Sequence, residues 1–399
     1  MITKKYLNIL YISALSFLLW AFQTNAAPVK KPQPINQTLP LNELRAFSEV
    51  YYYVKSTYVE EVDDRQLLNA AIKGMVTSLD GHSRYMDSSD FSDFSADNNG
   101  EYAGIGLSFN DHSKGIEINS VVKNSPAHRQ NLKQGMIVTK INGINIKDIT
   151  ADDAYKLLHG KINSSVTLSI IDPTEVNQKV ASVKDYQLVR EIVMLPSVDS
   201  QRLPNNTGYL AINQFTKKSP QEFIEAISIM SEKQPIKNLI IDLRNNPGGV
   251  LESAIEISDF FVEDGTLLTS TGRIDDANEV FHATSLAPYS DLQVVVVMNQ
   301  NSASSSEILA AALQDHDKAT ILGDVSYGKG SIQSIIFLER ESGLKITTAN
   351  YFTPKGKKIQ DVGVKPDVMF KTANLENNEK SEILDDLELL QAFKLISKK

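Results

Sequence analysis

The chain has 399 residues, of which 42% are hydrophobic and 22% charged, with a formal net charge of −9 and no cysteine. That length and composition indicate a globular protein of two or three domains. The acidic balance without a basic block argues against a nucleic-acid surface, and the missing cysteine excludes disulfides, thiol nucleophiles and thiolate metal sites.

In chain order, Lys4 and Lys5, an apolar run from about Leu7 to Phe22 and the small-residue stretch TNAA predict a secretory signal peptide over residues 1–26. The run is shorter than a spanning helix needs and is diluted by Asn8, Ser13 and Ser16, which makes an uncleaved membrane anchor the lesser alternative. Cleavage takes the net charge from −9 to −11 and removes Trp20, the only tryptophan. Residues 27–40 are Pro-rich and polar, a linker. Residues 41–98 carry apolar positions at helical spacing, as in LNELRAFSEVYYYVKSTYV and RQLLNAAIKGMVTSL, until DGHSRYMD breaks them.

Residues 99–180 change to short β-like runs (GIGLSF, IEINSVV, MIVTKING, SSVTLSII) around one helical stretch, TADDAYKLLHG. From 181 to 370 strands alternate with helices, which predicts an α/β core. Residues 371–399, acidic and then basic, read as a solvated amphipathic tail helix.

Three stretches carry chemistry. In GDVSYGKGSIQ, Gly323, Gly328 and Lys329 have the spacing of a phosphate-binding loop. Gly330 stands where such a loop needs Ser or Thr, and SIQSIIF reads as a strand rather than a helix, so no helix N-terminus awaits a phosphate. In VVVVMNQNSASSSEILAAAL a buried strand runs through small residues into a helix whose first turn is mostly serine. Hydroxyls there sit at the positive end of the helix dipole, yet Ser304 with Glu307 also forms a capping box that needs no chemistry. A serine nucleophile needs a base. His316 would lie about 18 Å along the helix axis from Ser304, at 1.5 Å per residue. The other histidines lack a paired carboxylate pattern, which leaves a lysine whose amine is freed by burial. The third stretch, DLRNNPGG, places Gly248 and Gly249 at a helix start, where N–H groups are open to an anion and equally to an ordinary cap.

Together GMVTSLDGHSRYM, YAGIGLSF, DLRNNPGG, SASSSEILAAALQD, GKGSIQ, TTANYFTPKGKKI and GVKPD resemble the C-terminal processing peptidases, or tail-specific proteases, over about residues 41–370. The resemblance implies an α/β fold, a crotonase-like core of ββα units with an inserted PDZ domain and an N-terminal helical segment. It implies a Ser-Lys-Gln triad of Ser304, Lys329 and Gln333, with oxyanion donors at the N–H groups of Ser305 and Gly248, or Gly249. Ser305 stands where the family usually has Ala, so Ser302 and Ser306 remain fallback nucleophiles. Asp315 matches a family Asp, and the distance argument gives it a structural role.

The segment 99–180 resembles a PDZ domain, with Gly104, Ile105, Gly106 and Leu107 as the loop that captures a peptide C-terminus. Met136 and Asn163 depart from its usual Asp and Gly. The resemblance implies a serine endopeptidase that cuts proteins with apolar C-termini, in the periplasm, without metal, nucleotide or other cofactor. It leaves room for an adaptor lipoprotein and, through the apolar helix stripes, for a homodimer.

Overall fold

The computed structural model describes residues 39–113, 115–172, 183–339, 341–370 and 386–397. The signal peptide, Trp20, nearly all of the linker and residues 371–385 of the tail lie outside them. The chain divides into two compact units, residues 1–72 and 73–399.

In the first unit, helix α1 (Leu41–Thr57) has no buried residue. Its last turns are tied to the start of α2 (Asp64–Thr77), where Asp64 accepts the Tyr51 hydroxyl at 2.7 Å and pairs with Lys55 at 2.7 Å.

The second unit begins within α2 and continues through β1 (Arg84–Met86), α3 (Ser88–Asn98) and β2 (Glu101–Gly104). A β-domain follows: β3 (Leu107–His112), β4 (Gly115–Val121), α4 (Pro126–Arg129), β5 (Ile137–Ile141), β6 (Ile144–Asn145), α5 (Ala151–Leu158), β7 (Ser165–Ile171) and β8 (Val183–Val189). Its sheet runs β3-β4-β5-β7-β8. The buried side chains of Ile118, Val138, Val166 and Leu168 close its core against Leu158 of α5. Asn163 has φ +65°, the left-handed conformation that accounts for glycine being common there. Strand β9 (Glu191–Met194) then pairs antiparallel with β2, so the β-domain is inserted on a two-stranded stalk.

The core continues with β10 (Val198–Leu203), β11 (Thr207–Ile212), α6 (Ser219–Ser231), β12 (Asn238–Asp242), α7 (Leu251–Asp259), β13 (Thr266–Gly272) and β14 (Val280–His282). It ends with β15 (Gln293–Met298), α8 (Ser305–Asp315), β16 (Ala319–Gly323), β17 (Ser331–Phe337), β18 (Gly343–Phe352), β19 (Val368–Met369) and α9 (Leu387–Ile396). One sheet runs β10-β11-β12-β15-β16-β19, parallel from β11 onward. A second, antiparallel sheet runs β1-β18-β13-β14, with β17 on the other edge of β18.

The parallel sheet explains the unbroken VVVV run. Val294, Val296 and Met298 face α6, α7 and α8, while Val295 and Val297 face the other way. The element on that second face is α9, whose Leu389, Ala392 and Ile396 are buried against Ile240, Val297 and Leu322. The expectation of a solvated tail helix is therefore corrected over Leu387–Ile396. Its apolar stripe is matched to a sheet face that has no other cover among the described residues. Arg244 fastens the start of α9, pairing with Asp386 at 3.0 Å and Glu388 at 3.1 Å.

Candidate active site

Strand β15 delivers the chain through Asn299–Ala303 to the N-cap of α8, Ser304, which has φ +57° and ψ −115°. A serine in that region is strained and persists only where its surroundings fix it. Of the four serines here, Ser302, Ser305 and Ser306 are buried and Ser304 is partly exposed. The buried hydroxyls are engaged: Ser302 donates to the Leu243 carbonyl at 2.8 Å, Ser305 to that of Gly249 at 3.2 Å and Ser306 to that of Asn246 at 3.0 Å.

The turn is fixed from α8 itself. The buried carboxylate of Glu307 accepts the Ser304 N–H at 2.7 Å and, with the same oxygen, the Lys329 N–H at 2.9 Å. Its other oxygen accepts the Gly328 N–H at 2.7 Å and the Ser326 hydroxyl at 2.5 Å. The hydroxyl of buried Tyr351 also meets the carbonyl oxygens of Lys329 and, at 3.2 Å, Ser304. Two side chains thus bind the serine turn to the lysine loop through backbone groups of both. The capping-box reading of Glu307 missed this reach, because partners 21 and 22 residues away leave no local signal.

Lys329 is partly buried, and burial lowers its pKa against a smaller raising effect of Glu307. The chain after it is strand β17, as SIQSIIF predicts, so no helix N-terminus follows the lysine. The flanking glycines are needed by the backbone: Gly328 has φ +89°, and a Cβ at Gly330 would stand 2.3 Å from the Gln360 nitrogen. Gln333 lies on β17, opposite Thr347 of β18. Its Nε2 donates to the Ser331 hydroxyl at 2.9 Å and to the Thr347 hydroxyl at 3.3 Å, not to Lys329. Lys345, two residues before Thr347, is a neighbour the sequence reading did not single out. Burial, then Lys329 and Arg84, push its amine down to about 8, and its ammonium lies 5.5 Å from the centre of the Phe94 ring.

The Pro-Gly-Gly turn does reach the serine. A Cβ added at Gly248 would lie 2.7 Å from Ser304 Cβ and 3.0 Å from the Ser305 nitrogen. The Gly248 N–H, however, is donated to the Asn246 side chain at 2.8 Å. The expected donor is thus occupied in this conformation, because Asn246 folds back over its own turn.

Asp315 lies at the far end of α8, where it accepts the Thr353 hydroxyl at 2.5 Å, the Lys355 N–H at 2.9 Å and the Lys357 ammonium at 2.9 Å. Burial raises its pKa, but these donors outweigh it and hold the carboxyl below the usual range. His316 is engaged with the Thr266 carbonyl at 2.7 Å. Both belong to packing around the helix end.

In the β-domain, Ile105 is buried and Gly106 has φ +82°, where Cβ would strike Ser125 at 2.1 Å. Beside this loop opens a cleft of about 700 Å³, away from Ser304, lined by Ile105, Leu107, Phe109 and Leu158 and by Leu195 and Gln214 of the core. Among the described residues no cluster of side chains could hold a metal ion, and no helix is long and apolar enough to cross a membrane.

The sequence matches Peptidase family S41 over residues 206–370, a PDZ domain over 93–171 and the activating protease CtpB N-terminal domain over 13–90. A carboxy-terminal-processing protease of Bartonella bacilliformis is 35% identical over 337 residues, covering 84% of this chain and 76% of its own length. A probable CtpA-like serine protease of Staphylococcus aureus is 30% identical over 374 residues, covering 92% and 73%. A putative S41 protease structure from Bacteroides fragilis shares the fold, with a TM-score of 0.56 and 19% identity over 87% of this chain and 94% of that one. The chain belongs to the carboxy-terminal-processing family of serine proteases, Peptidase family S41, and carries a PDZ domain.

Proposed function

We propose that this protease cleaves exported proteins with apolar C-termini by a Ser304-Lys329-Gln333 mechanism. Lys329, as the free amine, takes the Ser304 hydroxyl proton, and the alkoxide attacks the peptide carbonyl carbon. The ammonium then protonates the leaving amine. Water, deprotonated by Lys329 in turn, releases the acyl group from Ser304. Gln333 orients the lysine through its carbonyl oxygen. The oxyanion is held by the Ser305 N–H and by the glycine turn, from Gly249 or from Gly248 once Asn246 lets go of it. The Gly104–Leu107 loop takes the substrate carboxylate, with the apolar side chains of the cleft beside it.

One observation carries the reading. The only partly exposed serine of the four is the strained one, and buried Glu307 joins its backbone to that of Lys329. The N-terminal segment supports export to the periplasm. The exposed Leu41, Leu44, Phe47 and Val50 of α1 support a homodimer, and an adaptor lipoprotein fits the same substrate class. The test compares wild type with Ser304→Ala and Lys329→Ala on an unfolded protein ending in an apolar tail. Cleavage by wild type alone, insensitive to EDTA and without ATP, is expected. Cleavage that survives Ser304→Ala moves the nucleophile to another serine. Tail binding without cleavage by any form favours a scaffold or an enzyme still waiting for its activator.

A further inference from the structure

The motif Asp80-Gly-His-Ser-Arg-Tyr-Met takes no part in the mechanism above, yet it packs beside the strand that faces Gln333. Strand β18 is paired on one edge by β17 over Gly343–Asn350, with a register shift between Thr347 and Ala349. On its other edge it is paired by β1 at Gly343–Lys345 and by β13 at Ala349–Phe352, which leaves residues 346–348 without a strand neighbour. The motif fills that gap. Asp80 Oδ1 accepts the His82 and Ser83 N–H groups, each at 2.7 Å, and Oδ2 accepts the Ser83 hydroxyl at 3.2 Å. The Ser83 oxygen in turn accepts the Thr347 N–H at 3.1 Å. Burial raises the Asp80 pKa, but these N–H groups and the Thr347 and Ser83 hydroxyls outweigh it, and the group remains a carboxylate. On β17, Gln333 presents its Nε2 to the Thr347 hydroxyl.

A carboxylate only accepts, and a hydroxyl has one proton to give. The Ser83 proton is therefore spent on Asp80, and the Ser83 oxygen is left to accept the Thr347 N–H. The Gln333 amide turns its NH₂ to the Thr347 hydroxyl and to Ser331, which leaves Oε1 as the end able to accept from the lysine amine. We propose that Asp80 and Thr347 are positioning residues for Gln333: the carboxylate, through Ser83, fixes the Thr347 backbone, and the Thr347 hydroxyl helps hold the amide so that its other end is kept for Lys329. This rests on the triad reading given above.

The experiment is a double-mutant cycle on cleavage of the apolar-tailed substrate, with thermal melts alongside. Thr347→Val and Asp80→Asn each lower kcat by about tenfold, within the roughly 100-fold that a misplaced group can cost, and leave KM unchanged. Thr347→Ser, which keeps the hydroxyl, restores kcat. In a Gln333→Ala background Thr347→Val costs nothing further, because the residue it acts through is gone. The same loss in both backgrounds, or wild-type kcat in both Thr347→Val and Asp80→Asn, overturns the proposal. Wild-type kcat in Gln333→Ala overturns the triad reading beneath it, and is told apart by that single variant.

Discussion

The turn that carries Ser304 follows a strand of a parallel sheet covered on both faces, whereas Gln333 and Lys345 belong to an antiparallel sheet whose strands are half-buried, with Lys329 in the loop that leads into it. On the serine side the hydroxyls of Ser302, Ser305 and Ser306 are each spent on a backbone carbonyl. On the lysine side the polar groups meet one another: Gln333 with Ser331 and Thr347, Lys345 with the Phe94 ring. The proposed nucleophile is thus held by backbone geometry, and the strands beside the proposed base by contacts between side chains. Substitutions on the first side should act through structure, and those on the second through protonation and orientation.

Glu307 joins the two sides, so breaking it gives the largest effect. Its four bonds are all accepted, and hydrogen bonds to a charged group contribute about 1.5–3 kcal/mol each. Glu307→Gln replaces one accepting oxygen by an NH₂ that faces donors. The melting temperature should fall, and kcat should drop by about 100-fold or more, equivalent to ~2.7 kcal/mol of barrier. A Glu307→Gln enzyme that melts lower but turns over at the wild-type rate would show that the Ser304 turn holds its shape without the carboxylate.

Lys345 tests the other side. Its charge lies in the same half-buried patch as Lys329 and Arg84, with Glu307 as the opposing charge felt at Lys329. A neighbouring cation disfavours protonating Lys329, whose pKa burial already lowers. Removing it by Lys345→Met therefore raises the proton affinity of Lys329. The acid limb of the kcat/KM profile should move to higher pH, with several-fold loss at acid pH and little at alkaline pH. Lys345→Arg should keep the wild-type limb. An unmoved limb in Lys345→Met removes this charge from the account.

What could be read in the sequence divides along the same line. The strand, turn and helix around Ser304 are contiguous, so periodicity and the run of small residues reveal them, and the strand after Lys329 rules out a phosphate loop on local grounds. The approach of Gly248 to Ser304, the reach of Glu307 to Lys329 and the docking of Ser83 beside Thr347 join residues tens to hundreds of positions apart. No spacing rule encodes such contacts. The tail helix was misread for the same reason: its apolar stripe is visible, but the sheet face that needs it lies far upstream. The engagement of the Gly248 N–H by Asn246 is local, and the Asn two residues before the glycine was a usable signal for it.

The smallest effect belongs to Ser305, the position where the resemblance leads one to expect Ala. Its hydroxyl makes one bond, to the Gly249 carbonyl at 3.2 Å, and its side chain is buried. Ser305→Ala removes that bond and leaves an acceptor that can take a second partner, which places the loss near the ~0.5–1.5 kcal/mol typical of a neutral hydrogen bond. The proposed oxyanion donor is the backbone N–H, which the substitution keeps. We expect kcat/KM within about threefold of wild type, under ~0.7 kcal/mol of barrier, and a melting temperature only slightly lower. A loss on the scale of Ser304→Ala would instead make the Ser305 hydroxyl part of the chemistry. In that case the strain at Ser304 would serve to aim its neighbour.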